Sequence, residues 1–439
     1  MATLAAVVPS AAAQAAAVTP KVCEQPAAGQ SFGRATPEQE NLDSDQVKKA
    51  VSLLSGRLRL SVLVFRNNCL VGQDPLNIVT ASIHNDIFSA TKSVVSLLTG
   101  IAIGQGKLKI DDPIGKYLPT GPGWGDAEHR AITVRQLLNQ TSGMRQSILA
   151  EFASIAIDPS LAQEALNQPI LYKPGTKFQY SQLGPALLAY VVQSAVEQDL
   201  VDYAQKYLFG PIGIKPGSYL WLRDRSGLAY GYANLFLTPL QLSRLGLLMI
   251  NNGSWNGTQV VPRSWVDAVQ QPTPTNGCYG LLFWNNRGTT CTGADIPHAQ
   301  TFQRRGFPPA PADAYEMNGA LGQLVIMIPS LNITVVTTGV LGSIALDPPV
   351  LLGAGADEMQ WSFLRALMAA VKDVKVPDPG PYSQSGDPID LNVDPENYLS
   401  PGVLLSDLVT NPHCNVLFCN GTIPFKGLFQ NLKALPGLL

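Results

Sequence analysis

The chain has 439 residues, a formal net charge of −2 at pH 7 and a hydrophobic fraction of 46%. The near-neutral charge excludes a strongly basic nucleic-acid-binding protein, and the hydrophobic fraction excludes a disordered chain. Only 14% of the residues are Asp, Glu, Lys or Arg, whereas about 25% is usual. Neutral side chains, loop backbone or something not encoded in the sequence must therefore hydrate the surface.

The chain starts with residues 1–45, predicted to be a leader rich in Ala, Gln and Pro. Residues 2–18 are mostly Ala and Val, as in a secretion signal, although no basic residue precedes them and Pro9 and Gln14 interrupt the run. No later stretch reaches the roughly 18 uninterrupted apolar residues of a membrane span, so we expect none.

The order of the predicted elements indicates an α+β fold. A helix at Gln46–Leu54 precedes strands at Leu58–Phe65 and Leu70–Gln73, and a strong apolar helix runs from Ser89 to about Gly104. Further helices are predicted at 133–139, 160–167, 183–197, 200–208, 238–251 and 263–270, strands at 279–285, 314–318, 322–328 and 331–338, and a helix at 356–373. We expect an antiparallel sheet built from both ends of a domain at 46–375, with a mostly helical region inserted at about 116–270. A Pro-rich linker and a Cys-containing tail complete the chain at 376–439.

The six cysteines favour disulfide bonds over a metal or redox motif. None lies in a Cys-x-x-Cys pair, so zinc-binding and thioredoxin-like sites have little support. The spacing leaves the connectivity open, and the candidate pairs are Cys23 with Cys69, Cys278 with Cys291, and Cys414 with Cys419.

Five Asn-x-Ser/Thr sequons accompany the cysteines, at Asn139, Asn252, Asn256, Asn332 and Asn420. Together with the even cysteine count and the low charge, they favour a secreted, glycosylated protein. The alternative is a cytosolic protein with free buried thiols.

Ser89-Ala90-Thr91-Lys92 carries the strongest chemical signal in the chain. Because the spacing i to i+3 places both side chains on one helix face, the Lys92 amine can reach the Ser89 hydroxyl. A serine needs such a base to become a nucleophile, and the free N–H groups of a helix N-terminus favour an oxyanion. The alternative is a polar first turn with a capping serine and a solvated lysine, but the apolar run that follows favours a buried lysine.

Two weaker patterns follow along the chain. Tyr180-Ser181-Gln182 follows a turn signal, and a tyrosine near a lysine can act as a general base, although a half-buried structural tyrosine fits equally well. The segment Met317–Gln323 contains Gly319 and Gly322 and opens a hairpin, where an edge N–H group could donate to an oxyanion; the alternative is an ordinary turn.

Taken together, these motifs resemble those of the Ser-x-x-Lys serine hydrolases related to class C β-lactamases, DD-peptidases and family VIII-type esterases. The resemblance runs from about residue 50 to 373. It implies a β-lactamase/transpeptidase-like fold and an acyl-enzyme on Ser89, which Lys92 activates while Tyr180 shuttles protons. The oxyanion hole would be formed by the backbone N–H groups of Ser89 and Ala320.

The motifs depart from the family pattern at two points. Gln182 replaces the usual asparagine, and Met317-Asn318-Gly319 replaces Lys-Thr-Gly or His-x-Gly. The missing basic residue, which commonly meets a substrate carboxylate, argues against β-lactam or D-Ala-D-Ala substrates. The Gly-x-x-Gly-Gln form is more similar to the esterase and 6-aminohexanoate-dimer hydrolase branch.

We therefore expect a secreted serine hydrolase that cleaves a small-molecule ester or amide, with Gln182, Asn318 and Gly319 binding the substrate. The pocket walls are expected from loops within 117–160, 219–237 and 286–315. The four histidines show no metal spacing, so no metal or other cofactor is expected, and no nucleic-acid partner. An acyltransferase using the same acyl-enzyme, or a non-catalytic binding protein on the same fold, remains the alternative.

Overall fold

A seven-stranded antiparallel sheet forms the centre of the molecule, in the order β2-β1-β14-β13-β12-β9-β8. The computed structural model describes residues 18–57, 59–153, 157–294, 299–339, 357–383, 400–405 and 409–435. The strands of this sheet are β1 (Arg59–Arg66), β2 (Cys69–Gln73), β8 (Tyr279–Gly280), β9 (Phe283–Asn285), β12 (Tyr315–Gly319), β13 (Gln323–Ile328) and β14 (Ile333–Gly339). The N-terminal strand β1 pairs directly with β14, from near the other end of the domain.

Short strands complete three smaller sheets: β3 (Asn85–Asp86), β4 (Leu220–Trp221), β5 (Leu235–Leu237), β6 (Ser254–Trp255), β7 (Thr258–Gln259), β10 (Cys291–Thr292) and β11 (Thr301–Phe302). The helices are α1 (Ser44–Ser55), α2 (Asn77–Thr80), α3 (Ala90–Gly104), α4 (Ala127–Ala131), α5 (Val134–Leu138), α6 (Ile148–Ala153), α7 (Leu161–Asn167), α8 (Leu183–Val196), α9 (Leu200–Ala204), α10 (Pro239–Ile250), α11 (Arg263–Val269), α12 (Asp357–Ala369), α13 (Pro401–Leu405) and α14 (Lys426–Ala434). The predicted helix at 200–208 continues past α9 as a π-helical turn at Gln205–Phe209.

The sheet separates two hydrophobic cores. Successive side chains of a strand point to opposite faces, and Leu63 and Phe65 of β1 pack with α3 and the helical region. Val62 and Val64 face the other way, into the core that contains helices α1 and α12. Because both faces of β1 are covered, its sequence is nearly continuously apolar, as expected for a central strand.

The strand predicted at 279–285 is a tight hairpin instead. Strands β8 and β9 pair with each other, and Leu281 and Leu282 form the turn between them with φ of 48° and 64°. Leucine rarely adopts this left-handed conformation. Bonds from the surrounding fold hold the turn, because Leu282 N–H donates to the Leu138 carbonyl and Leu281 N–H donates to Asn139 Oδ1.

The structure places part of the predicted leader inside the folded domain. Phe32 and Leu42 are buried, and Arg34 bridges to Leu70 of β2. The folded unit therefore begins well before residue 46, whereas residues 1–17 of the signal-like run lie outside the described residues.

The described parts of the C-terminal tail contact the helical region. Ser400 N–H donates to Ser147 Oγ at 2.7 Å, and Asn431 exchanges hydrogen bonds with the Arg223 backbone. Residues 384–399 of the predicted linker lie outside the described part of the chain.

Three disulfide bonds join Cys23 to Cys69, Cys278 to Cys291 and Cys414 to Cys419. The candidate pairs therefore all form, and such bonds fit an extracellular protein. Within the described ranges, no helix combines the length and the apolarity of a membrane-spanning segment.

Candidate active site

The backbone holds Ser89 at the entry to the central helix α3. The preceding residue, Phe88, has a left-handed φ of 45°, a conformation that is strained by about 1–3 kcal/mol in a non-glycine residue. Asp86 stabilises it, because its Oδ1 accepts the Phe88 N–H at 2.8 Å and the Asn234 N–H at 3.0 Å. Burial raises the pKa of the Asp86 carboxyl to about 6.

The structure brings Lys92 to Ser89, as the Ser-x-x-Lys spacing predicts. The Lys92 side chain is buried, and its Nζ donates to Ser89 Oγ at 3.0 Å and to Gln182 Oε1. Burial lowers the pKa of the Lys92 ammonium well below its usual value, and the negative charge of Glu151 opposes this shift. A lysine with a lowered pKa has a larger neutral fraction, and only the neutral amine can take a proton.

Tyr180 lies next to both Ser89 and Lys92. Lys92 Nζ lies 4.6 Å from the centre of the Tyr180 ring. Burial raises the pKa of the Tyr180 phenol above its usual value, while a hydrogen bond with the Ser89 side chain opposes the rise. The phenol is therefore protonated at neutral pH and can relay a proton between Ser89 and a group in the pocket.

A buried carboxylate, Glu151 of α6, holds the segment after Tyr180. Its Oε2 accepts the N–H groups of Gln182 and Leu183 at 2.6 and 3.3 Å, and its Oε1 accepts the Ser147 N–H at 2.9 Å. These contacts fix the entry to helix α8, where a carboxylate also meets the positive end of the helix dipole. Burial raises the pKa of Glu151, although the three hydrogen bonds and Lys92 oppose the rise.

Aromatic side chains form a wall beside Tyr180. Trp284 stacks on Tyr180 with ring centres 5.8 Å apart, and Tyr279 meets Trp284 edge to face at 4.7 Å. Phe178 contacts Tyr279 at 5.1 Å. Tyr279 and Trp284 belong to the β8–β9 hairpin, just outside the predicted wall at 286–315.

The third motif lies at the end of β12, next to the start of α3. A Cβ atom on Gly319 would lie 2.1 Å from the Ile87 carbonyl oxygen, so only glycine permits this close approach. Strand β12 pairs with β9 only at Tyr315 and Glu316, whereas its pairing with β13 continues to Gly319. Ala320 follows directly, is exposed, and is the first residue of the turn between β12 and β13.

The side chains of this motif point to opposite faces of the sheet. Met317 is fully buried in the core that contains α3. Asn318 pairs with Leu324, which belongs to the opposite core, and its Nδ2 donates to Glu316 Oε1 at 2.7 Å. The side chain of Asn318, predicted to bind substrate, therefore lies on the face away from Ser89.

Three positions near the site were missed by sequence reasoning: Asp86, Glu151 and Trp284. Asp86 lies three residues before Ser89, and this proximity in sequence could have identified it as a residue near the site. Glu151 and Trp284 lie far from the motifs in sequence, and only the tertiary fold brings them there.

Comparisons with known proteins identify sequence relatives, a shared fold and a family. Protein flp of Staphylococcus aureus (strain MW2) is 27% identical over 159 residues, which are 35% of this chain and 32% of that protein. The match thus spans about a third of this curated relative's length.

Solved structures with low sequence identity share the fold. A Bacillus anthracis protein provisionally named 6-aminohexanoate-dimer hydrolase superimposes with a TM-score of 0.55 at 16% identity, covering 72% of this chain and 84% of that one. EstCE1, described as a hydrolase with promiscuous acyltransferase activity, gives a TM-score of 0.52 at 15% identity, covering 74% and 98%.

The family match is to a sequence profile and not to a single protein. The sequence profile named Beta-lactamase matches residues 60–338, more than half of the chain, from β1 to the penultimate residue of β14. This range contains Ser89, Lys92, Tyr180 and Ala320. The chain therefore belongs to the β-lactamase family.

Proposed function

We propose that the protein cleaves a small-molecule ester or amide through an acyl-enzyme on Ser89. The observation that carries this proposal is the contact of the buried Lys92 Nζ with Ser89 Oγ at 3.0 Å. Ser89 Oγ attacks the substrate carbonyl carbon while the neutral Lys92 amine takes its proton. Tyr180 relays this proton from the Lys92 ammonium to the departing oxygen or nitrogen as its bond to the carbonyl carbon breaks. Water then attacks the acyl carbon, its proton returns by the reverse path to Ser89 Oγ, and the acid is released.

Backbone N–H groups at two places would stabilise the oxyanion. Ser89 lies at the N-terminus of α3, and the close approach of Gly319 to Ile87 brings the next residue, Ala320, towards it. Donors fixed in this way are worth several kcal/mol of transition-state stabilisation.

The buried amide of Gln182 supports a role in substrate binding. Its Nε2 group has no hydrogen-bond partner among the described residues, while its Oε1 accepts from Lys92. A substrate carbonyl that reaches this donor would satisfy it. The longer side chain of glutamine keeps the amide of the usual asparagine and extends it by one methylene.

The pocket favours substrates without a carboxylate at the position where β-lactams carry one. Met317 occupies the place of the family's basic residue and is buried. Trp284 is the half-buried member of the aromatic wall, and its ring offers apolar surface that suits an uncharged acyl or leaving group.

An active-site probe tests the proposal directly. A fluorophosphonate should add one phosphonyl group to the wild-type protein, with loss of fluoride, as measured by intact-protein mass spectrometry. Ser89→Ala should remain unmodified. Absence of a wild-type adduct, or an adduct that survives Ser89→Ala, would refute the acyl-enzyme and favour a non-catalytic binding protein.

The role of Lys92 has its own test. We expect Lys92→Ala to lower turnover of a p-nitrophenyl ester by several orders of magnitude while the circular dichroism spectrum stays unchanged. Turnover close to that of the wild type would rule out Lys92 as the activating base.

Acyl transfer is the second candidate, because EstCE1, which shares the fold, is described as having this activity. Water, an alcohol or an amine can attack the same acyl-enzyme. Product analysis with and without an added alcohol decides between them: a transferase forms the new ester faster than the free acid, and a hydrolase does not.

We further propose that the protein is secreted and glycosylated. Asn252, Asn256, Asn332 and Asn420 are exposed, whereas Asn139 is half-buried and its Oδ1 holds the Leu281 N–H. Glycopeptide mapping of the protein from a secreting eukaryotic host should therefore find glycans at exposed sequons and none at Asn139. Unmodified asparagine at all five sequons would contradict the proposal.

A further inference from the structure

We propose that Arg59 is a positioning residue for the oxyanion hole, holding the turn that carries Ala320. Arg59 is the first residue of β1 and is buried. Its Nη1 donates to the Leu321 carbonyl at 2.5 Å, and its Nη2 donates to the Gly322 carbonyl. This inference rests on the proposed acyl-enzyme on Ser89.

The turn needs such support because its backbone is strained. Leu321 has φ 60° and ψ 20°, and Gly322 has φ 73°. Two consecutive residues thus adopt the left-handed conformation, and the first of them carries a branched side chain. The carbonyl groups of these two residues are the ones that the guanidinium holds. The orientation of the Ala320 N–H is therefore coupled to Arg59 through the next two peptide units.

The guanidinium is itself fixed by the strands below the turn. Its Nε donates to Thr337 Oγ1 of β14 at 2.9 Å. The planar guanidinium carries several N–H donors in a fixed arrangement. One arginine can therefore donate to the Thr337 hydroxyl of β14 and to two carbonyls of the turn at once. A Cβ atom on Gly322 would lie 3.2 Å from Nη1, so the turn and the guanidinium are in tight contact.

A second contact holds the base of the same turn. Gln323 Nε2 donates to the Gly339 carbonyl, and Gly339 N–H donates to Gln323 Oε1 at 3.1 Å. Gly339 in turn pairs with Arg59. The base of the turn is therefore tied to β14, and its tip depends on Arg59.

Burial of Arg59 is otherwise hard to explain. Taking a cation out of water is unfavourable unless other groups replace the lost hydration. The partners of Arg59 in the described chain are two carbonyl oxygens and one hydroxyl, and burial lowers the pKa of its guanidinium to about 10. A hydrophobic side chain would pack at this place without that penalty, but it could not hold the turn.

Arg66 provides a matched control at the other end of the same strand. It is also buried, donates to the Leu331 carbonyl at 3.2 Å and pairs with Asp373 at 2.9 Å. Its contact with Leu331 lies in the turn between β13 and β14, at the opposite end of β1 from the turn that carries Ala320. A general weakening of β1 should affect both variants, whereas only Arg59 should affect the oxyanion hole.

The experiment compares Arg59→Met, Arg59→Lys and Arg66→Met with the wild type. It measures kcat and KM for a p-nitrophenyl ester, and the inhibition constant of a phenylboronic acid, whose Ser89 adduct places an oxygen in the oxyanion hole. We expect Arg59→Met to lower kcat and boronate affinity roughly 10- to 100-fold with little change in KM. Arg59→Lys should recover part of both losses, and Arg66→Met should keep kcat within about twofold.

Each other outcome has a defined meaning. Unchanged kcat and boronate affinity in folded Arg59→Met, or equal losses in Arg66→Met, would overturn the role of Arg59. If Arg59→Met does not fold, Arg59→Lys decides: wild-type kcat and boronate affinity in that variant refute the proposal, and a parallel loss of both supports it. A wild-type protein that neither turns over the ester nor binds the boronate would refute the proposed function instead.

Discussion

Burial of the Lys92 side chain makes the chemistry of the site dependent on pH. In the proposed mechanism Lys92 takes the Ser89 proton only when it is neutral, and burial lowers its pKa well below 10.5. We therefore expect acylation by a p-nitrophenyl ester to speed up as pH rises, with a midpoint well below 10.5. A midpoint near the value of a free lysine would contradict this environment.

The charge of Glu151 should shift that midpoint in a known direction. A neighbouring carboxylate favours the ammonium form and so raises the pKa of Lys92. In Glu151→Gln the negative charge is absent, and the midpoint of the pH–rate profile should move to lower pH. The exposed Glu128 of α4 offers a control, because Glu128→Gln should leave the midpoint where it is.

Individual residues also show how far the sequence alone could predict the site. Ser89 and Lys92 lie one helical turn apart, so their contact follows from local geometry. Glu151 has no such marker, because its burial is produced by segments that meet only in the folded protein. Asn318 could be placed in the motif from sequence, but the face of its side chain depends on the register of β12 against β13.

At the level of elements, the end of strand β12 packs so closely against the start of α3 that it leaves no room for a side chain at Gly319. The carbonyl of Ile87 occupies the space next to Gly319, so a methyl group there would clash at 2.1 Å. We expect Gly319→Ala to push β12 away from the start of α3 and lower kcat about 100-fold or more, since a shift near 1 Å has effects of that size.

A second glycine separates this clash from the general effect of alanine. At Gly293 the nearest atom to an added Cβ lies 3.9 Å away, so Gly293→Ala should keep wild-type kcat. Both variants are assayed for ester hydrolysis and for thermal unfolding. Wild-type kcat in Gly319→Ala would show that the close approach to Ile87 is not required.

The sequence pattern could not predict that residues 279–285 form the β8–β9 hairpin. The two turn positions are Leu281 and Leu282, where the run 279–285 has no Gly, Asn or Asp, so the pattern predicts a single strand. Ser93 Oγ donates to the Leu282 carbonyl at 2.7 Å, in addition to the bonds from Leu138 and Asn139. These distant groups stabilise a conformation that leucine would not adopt alone.

For the whole molecule, the order of predicted elements was sufficient to derive the architecture. Strands at both ends of the domain and helices between them led to one sheet, which the structure confirms. Segments without periodic patterns were less predictable. Residues 18–43 lack a clear period, yet contacts such as the burial of Phe32 make part of this segment integral to the fold.

The disulfide bond between Cys23 and Cys69, which ties this N-terminal segment to β2, should stabilise the fold more than the bond between Cys414 and Cys419. Cys23 and Cys69 are 46 residues apart, whereas Cys414 and Cys419 are five apart. Loop-closure entropy predicts a loss of about 4 kcal/mol for replacing the first pair with serine and about 2 kcal/mol for the second. Urea unfolding of the two double variants measures both losses, and equal losses would contradict the loop-length argument.

The pairing of β1 with β14 also sets the point in synthesis at which the sheet beside the candidate active site can be completed. A ribosome releases the chain from its N-terminus, so Ser89, Lys92 and Tyr180 emerge long before Ile333–Gly339. Until that last strand arrives, β1 lacks one of its two neighbours and the turn bearing Ala320 has no Thr337 beneath it. The nascent chain therefore contains Ser89 and Lys92 before it can form the complete sheet, and by the proposed mechanism we expect activity only after β14 has paired with β1.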